Sequence, residues 1–385
     1  MWRSIASNAL TLFIVILVAI AGAVGWGQAQ YSSAGPLETA ICVRVAPGSN
    51  FTTVSENLVE QGAVSNGRIL RIGADYTDRT QLLKAGSFLV PERASMQDIV
   101  GIITGGGQST CGTEVVYRVG VNRIGVQVRE LDPASNRFVE TVSFNPAEEE
   151  PPAEYVSLKA ESDTRFRVAL AEGVTSWQIV QGLKGIDVMT GDVTEIPAEG
   201  RLAPDSYEVS IGDDRAQLLN VMQSRQSARL EEAWRNRASD LPYESPEEAL
   251  VMASIVEKET GNSDEAGLVA SVFVNRLNKG QRLQTDPTVI YGITKGEGVL
   301  GRGLRQSELR RETPYNTYVI KGLPPTPIAN PGIKSLEAAL NPPDTDYFFF
   351  VAKTLSPSDG HNFSVNYEQH KAFVEAYRKL EAARE

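Results

Sequence analysis

Residues 253–260 read Ala-Ser-Ile-Val-Glu-Lys-Glu-Thr, and the residues before them show what this stretch belongs to. Ser245-Pro246-Glu247-Glu248 is a helix start: the serine can cap, proline suits the first turn, and Glu248 stands where a capping box needs an acid. Ala249, Met252, Ala253 and Val256 then follow one apolar stripe, and Gly261-Asn262 stops the helix. The pattern predicts an amphipathic helix with Glu259 continuing the buried stripe, Glu257 on its flank and Lys258 facing elsewhere. Glu259 also falls in the last turn, where the negative end of the macrodipole disfavours an anion. Together with partial burial this favours the protonated acid. No histidine, cysteine or metal-ligand cluster lies nearby, and a neutral carboxylic acid with little other equipment is what cleavage of a glycosidic bond requires. Taken alone, Glu-x-Glu at a helix end is more commonly an ordinary polar terminus, so the downstream text has to decide.

Four further segments follow. They are Leu283-Gln284-Thr285-Asp286-Pro287-Thr288-Val289-Ile290-Tyr291-Gly292, Tyr315-Asn316-Thr317-Tyr318, Gly322-Leu323-Pro324-Pro325 and Ala329-Asn330-Pro331-Gly332. Gln284, Thr285 and Asp286 precede a proline and are expected in an extended stretch, where amide and carboxylate groups could meet sugar hydroxyl and acetamido groups. Tyr291, Tyr315 and Tyr318 have apolar bodies that can stack on pyranose faces, although each could equally pack a core or a turn. Asn316 between aromatic flanks is a further groove candidate, and the Pro-Pro and Asn-Pro-Gly segments are expected to shape loops. Before them, Ser263-Asp264-Glu265 starts a helix carrying Leu268, Val269, Val272, Phe273 and Leu277, with Arg276 expected to brace the fold and Asn275 to stand near the site.

In this order the set resembles the endolytic murein transglycosylase family, also called YceG-like. The resemblance is strongest over residues 240–375 and traceable from about residue 42, with an extra segment near 109–160. It implies that Glu259, the second acid of its motif and immediately before a threonine, is the catalytic general acid and base; Gln284, Thr285, Asp286, Tyr291, Tyr315, Asn316 and Tyr318 are, by their residue types, the groups expected to bind substrate. It implies neither cofactor nor metal, and His361 and His370, nine residues apart without matching ligands, do not make a metal site. The reaction implied is endolytic cleavage of the MurNAc–GlcNAc β-1,4 bond of nascent glycan strands, leaving 1,6-anhydroMurNAc ends and terminating elongation. A muramidase using Glu259 and Asp286, and a non-catalytic peptidoglycan-binding scaffold, are the competing readings. Peptidoglycan strands are the expected partner, with peptidoglycan synthases a further candidate.

The chain has 385 residues and a net charge of −11, which argues against nucleic acid as a partner, since little here would neutralise phosphates. Cys42 and Cys111 are too far apart for a CxxC redox or zinc motif; they are either two separate buried thiols or, in an oxidising compartment, one disulfide. Residues 4–37 carry no charged side chain, and Ala9 to Trp26 are almost continuously apolar. About 18 residues at 1.5 Å each nearly cross a bilayer core. Residues 9–26 are therefore expected to span the bacterial cytoplasmic membrane once, with residues 1–8 cytoplasmic and the body periplasmic or extracytoplasmic. A cleaved signal peptide ending near Ala21-Gly22-Ala23 is the alternative.

The fold class expected is α+β. A connector over 27–40 leads to a module over 41–108 that ends at Gly105-Gly106-Gly107. A β-rich, exposed insertion and an acidic, proline-bearing linker occupy 109–160, and a mixed α/β catalytic domain over 161–385 carries the lysozyme-like acid helix. Within this frame a strand, a small-polar turn and a short helix recur at 88–103 and 166–183. The resemblance makes the first module LysM-like, a class that binds N-acetylglucosamine-containing glycans, although the same unit is common in α+β proteins generally.

Overall fold

A computed structural model describes residues 2–105, 110–161 and 164–383. In chain order the elements are α1 (Trp2–Ser32), β1 (Ile41–Val45), α2 (Phe51–Glu60), α3 (Gly67–Tyr76), β2 (Gly86–Val90), α4 (Met96–Thr104), β3 (Thr113–Val119), β4 (Ile124–Asp132), β5 (Arg137–Phe144), α5 (Ala153–Leu158), β6 (Arg165–Leu170), α6 (Ser176–Lys184), β7 (Ser206–Val209), α7 (Arg215–Arg235), α8 (Pro246–Glu259), α9 (Ala266–Asn278), α10 (Asp286–Thr294), α11 (Gln306–Leu309), α12 (Ile333–Leu340), β8 (Phe349–Ala352), β9 (His361–Ser364) and α13 (Tyr367–Ala382). The composition is mixed α and β, as the sequence pattern requires. The chain divides into two compact units, one of residues 1–115, 127–143 and 151–165, the other of 116–126, 144–150 and 166–385.

In the first unit, α1 is long and apolar enough to cross a membrane over Leu10–Ser32 by length and composition. The helix does not give way to a connector after Trp26; it continues to Ser32, because Gly27 to Ser32 contain no proline to break the hydrogen-bond ladder. β1 and β2 form an antiparallel pair, Val43 opposite Phe88, with α2 and α3 between them in the chain. Their inward residues Val43, Val45, Phe88 and Val90 join Leu58, Leu70, Ile99 and Ile103 in one core. The turn into α4 carries a capping box, Ser95 to the Asp98 amide and Asp98 back to the Ser95 amide. The glycine run expected to close this module lies largely outside the described residues, since Gly106 and Gly107 are not among them.

β3 is not an exposed excursion. Glu114, Val115, Val116, Tyr117 and Val119 are buried, and the strand stands in the middle of a five-stranded sheet ordered β5-β4-β3-β6-β7. Its near-continuous apolar run, Val115-Val116-Tyr117, is the signature of a strand covered on both faces. The buried Glu114 is held by Arg129 at 2.6 Å and by Arg165 at 3.5 Å.

In the second unit, β6 pairs antiparallel with β7, and α6 opens with a Thr175–Gln178 capping box like that of α4. The strand–turn–helix recurrence read from the sequence is therefore present at both places. α7, α9, α10 and α12 surround α8, and the β8–β9 hairpin packs with α13. Residues 249–256 of α8 are all buried, so this helix is not amphipathic: it is covered on every side and its charged residues lie only at its two ends. Its cap is half the box expected. Ser245 Oγ accepts from the Glu248 amide, but Glu248 accepts from the Glu244 amide instead of that of Ser245.

Cys42 and Cys111 are joined as a disulfide, their Cα atoms 5.7 Å apart across 69 residues of sequence, within the range such bonds require. The bond ties β1 to the segment that enters β3, where the Thr110 and Cys111 amides already donate to Ser87 O. A loop of this length restricts the unfolded chain enough to contribute about 2–4 kcal/mol. Cys42→Ser is expected to lower the unfolding free energy of the first unit by that amount, read as a drop in the denaturant midpoint against the oxidised protein. Equal midpoints would show that the bond adds nothing.

Candidate active site

Helix α8 ends at Glu259, with Thr260 as its C-cap. The Thr260 hydroxyl turns back to Val256 O at 2.7 Å, sealing the last turn. Because every residue from Ala249 to Val256 is packed in the core, any shift of the backbone that carries Glu259 would lose buried contacts on several faces. Glu259 keeps part of its surface accessible, but burial of its carboxyl is the largest influence on it and raises its pKa. The charge of Asp286 raises it further, while a hydrogen bond from Thr285 Oγ1 and the positive charge of Arg276 oppose the rise. The result is an acid held toward its neutral form, with one donor aimed at the oxygen that would carry charge.

The segment that supplies that donor is built tightly. Arg276, buried on α9, donates from Nε to Phe348 O at 2.8 Å and from a terminal nitrogen to Leu283 O. Gln284 has a left-handed backbone, φ 52°, a conformation that side-chain-bearing residues seldom adopt. It persists because the Leu283 carbonyl is held by Arg276 and the Gln284 amide donates to Thr317 O at 3.1 Å. Thr285 is buried; its amide donates to Thr317 Oγ1, and its carbonyl accepts from Thr288. The expected extended stretch is therefore shorter than the sequence suggested, since α10 begins at Asp286 with Pro287 in its first turn, where proline is tolerated.

The structure brings Glu259, Thr285, Asp286 and Tyr318 together. Asp286 is exposed and accepts from the Tyr318 hydroxyl at 2.6 Å. Gln284 is exposed beside them in the chain. Tyr291 and Tyr315 form a half-buried pair, ring centroids 5.2 Å apart. The Tyr315 hydroxyl meets Thr326 at 2.7 Å, and Lys295 Nζ stands 4.7 Å from the Tyr315 ring centre. Asn316 is different. It is fully buried, its amide donates to Glu308, Leu309 and Arg311 carbonyls, and its oxygen accepts from the Tyr318 amide. All of these bonds are internal, so Asn316 builds the loop that presents Tyr318 and has no polar group to offer a ligand. Asn275 likewise turns away from the expected position, donating to Thr345 and Tyr347 carbonyls.

Glu257, the other acid of the motif, accepts from the Gly332 amide at 3.0 Å and Ser335 Oγ at 2.8 Å. It therefore satisfies the first turn of α12, where an anion is favoured. Burial nonetheless raises its pKa, with the charge of Glu172 adding to the rise. Lys258 donates to Gly173 O at 3.2 Å and is pushed down by burial. His361 lies on β9 with its ring Nδ1 3.1 Å from Glu265.

A third carboxyl lies outside the site residues expected from the sequence. Glu199 accepts from the Ser176 amide at 2.8 Å and from the fully buried Asn330, whose oxygen takes the Leu202 amide. Burial raises its pKa, and Tyr291 is among its hydrogen-bond partners. Asn330 thus shapes its loop, as expected, by knotting residues 174–176, 199–202 and 330. Nothing local in the sequence distinguishes such an acid from a solvated one.

The YceG-like family model matches residues 43–376, most of the chain. The chain belongs to the YceG-like family. It is 37% identical over 172 residues to the endolytic murein transglycosylase of Bacillus subtilis, covering 44% of this chain and 46% of that protein. It is 25% identical over 363 residues to the endolytic murein transglycosylase of Streptococcus pneumoniae, covering 90% of this chain and 61% of that one. The chain thus spans less than two thirds of the length of either relative. A crystal structure of a YceG-like protein from Listeria monocytogenes matches 86% of this chain and 98% of that one at 24% identity, with a TM-score of 0.44.

The charges around Glu259 predict opposite shifts. Thr285→Val removes a donor that favours the carboxylate and should raise the Glu259 pKa; Asp286→Asn removes a neighbouring negative charge and should lower it. Carbon-13 NMR of the labelled carboxyl reads both, and shifts of the same sign would refute the arrangement. For the loop, Asn316→Ala leaves several buried carbonyls without a donor and should cost about 3 kcal/mol, measured by denaturant unfolding. A negligible loss would return Asn316 to the list of groove contacts.

Proposed function

We propose that the protein is a membrane-anchored endolytic lytic transglycosylase acting on peptidoglycan, with Glu259 as its single acid and base. The observation that carries this reading is the desolvated Glu259 carboxyl at the rigid end of α8, facing the Thr285 donor and flanked by Arg276 and Asp286. Membership of the YceG-like family and the names of the two relatives support the substrate class.

In the first step the protonated Glu259 gives its proton to the oxygen joining muramic acid C1 to the next N-acetylglucosamine, and the C1–O bond breaks. The carboxylate left behind is stabilised by the Thr285 hydroxyl and the Arg276 charge, the two influences that lower its pKa. In the second step the same carboxylate takes the proton of the muramic-acid C6 hydroxyl as O6 bonds to C1. The product is a 1,6-anhydro ring, and the acid is restored. Holding the attacking hydroxyl within the same sugar replaces an external nucleophile. Gln284 and Asp286, exposed beside Glu259, and the half-buried Tyr291, Tyr315 and Tyr318 are the groups available to bind the strand.

A hydrolytic muramidase is the second reading, favoured by one observation: Asp286 is close enough to Glu259 to influence its ionisation. Asp286 would then activate water or attack C1. The two schemes differ by one water in the product.

Helix α1 serves in this reading as a single-pass anchor to the bacterial inner membrane with the N-terminus cytoplasmic, which places the body beside newly made strands and their synthases. The β1–α2–α3–β2 arrangement of the first unit supports a LysM-like glycan-holding role. Incubated with purified sacculi, the protein is expected to release 1,6-anhydromuropeptides, and Glu259→Gln should lower that release by at least about a thousandfold with an unchanged circular dichroism spectrum. Reducing muramic ends in the mass spectrum would instead establish the hydrolase. Full release by the folded Glu259→Gln protein would remove Glu259 from the chemistry.

A further inference from the structure

The last turn of α1 does not end in open space. Tyr31 packs against the core of the first unit and lies over Gly73 of α3, where a Cβ would collide with its ring. Thr77 and Arg79 stand beside its hydroxyl. Leu10–Ser32 is 23 residues, which at 1.5 Å each exceeds the roughly 30 Å of a hydrocarbon core. Given the reading of α1 as a membrane span, Tyr31 sits at headgroup depth, and α3, packed on it, is held at that same depth.

The outward face of α3 suits that position. Its buried stripe is Leu70 and Ala74. On the other side Arg68, Ile72 and Tyr76 follow at four-residue intervals, all exposed, and exposed Arg79 continues past the helix end. Ile72 is 69% and Tyr76 89% accessible, and Leu82 nearby is 47% accessible. Large apolar side chains this open are costly in water and favourable at a bilayer interface, where tyrosine and arginine are also favoured. Charge points the same way. In a chain of net charge −11, residues 68–84 carry Arg68, Arg71, Arg79 and Lys84 against Asp75 and Asp78.

We infer that α3 is a second membrane contact: Ile72 and Tyr76 enter the headgroup layer of the bilayer crossed by α1, and Arg68 and Arg79 engage anionic phospholipid headgroups there. The span alone lets the body swivel about one helix. A contact at α3 adds a second point and fixes the first unit's orientation to the membrane plane.

The test uses the full chain reconstituted in phosphatidylethanolamine–phosphatidylglycerol vesicles whose acyl chains are brominated close to the headgroup. The native cysteines are bonded to each other, so one introduced cysteine can carry an environment-sensitive dye. Three sites are compared: Tyr76→Cys on α3, Ile20→Cys within the span, and Ala134→Cys in the exposed turn between β4 and β5. The dye at 76 is expected to be quenched at least about twofold more than the dye at 134. Adding Arg68→Glu and Arg79→Glu should lower the docked-to-undocked ratio about fivefold per arginine, bringing position 76 to the level of 134. Quenching at 20 but not at 76 overturns the inference and leaves the span intact; quenching at neither overturns both. A dye at 76 shielded from aqueous iodide yet unquenched by lipid means that a protein covers the stripe, and the inference fails. Equal quenching in phosphatidylcholine vesicles overturns the role given to the arginines.

Discussion

The burial of α8 on every side is the constraint from which the candidate site follows. Eight consecutive residues, Ala249 to Val256, are sealed among α7, α9, α10 and α12. Each large aliphatic in that run contributes about 1.5–3 kcal/mol through burial, so the helix cannot rotate or slide without loss on several faces at once. A stripe-faced helix could roll; one covered all round cannot. The carboxyl of Glu259 inherits that rigidity, and Glu257 adds to it by gripping the first turn of α12.

Around this fixed point the neighbouring groups are placed by secondary interactions that have no catalytic look of their own. Arg276 holds the carbonyls of Leu283 and Phe348 and, from that position, also lends its charge to Glu259. The left-handed Gln284 turns the chain so that Thr285 points its hydroxyl at Glu259 while Asp286 starts α10 facing solvent. Bracing and electrostatics are thus the same atoms serving two ends. A substitution at Thr317 would change the acid by moving Thr285, whereas one at Arg276 would also remove a charge that acts on Glu259 itself.

Much of this was legible in the residues. The start of α8, its end at the acid pair, the recurring strand–turn–helix with small polar caps, and the apolar first helix all follow from local patterns that local physics enforces. What the text concealed depends on partners distant in the chain. Asn316 looks like a groove residue because amides flanked by tyrosines suit sugars, but burial by residues 308–311 turned it inward. Thr285 reads as a contact for ligand and instead serves Glu259. Glu199 did not stand out as a site residue because its partners, Ser176, Tyr291 and Asn330, come from three separate places. The interior place of β3 was likewise decided by tertiary cover and not by hydropathy alone.

The raised pKa values of Glu199, Glu257 and Glu259 link acidity to folding itself. A carboxyl that binds its proton more tightly in the folded state than in the unfolded one favours folding most strongly below its unfolded pKa. That favour disappears as pH rises through the folded value. These three residues each favour proton uptake on folding, and Lys258, shifted the other way, works against them. Asp205, Glu247, Glu265 and Glu308, whose pKa values are lowered in the folded state, work in the opposite sense and lose their contribution as pH falls. A carboxyl desolvated by burial costs the fold stability when it ionises, so the burial that sets the state of Glu259 is also a cost the fold carries.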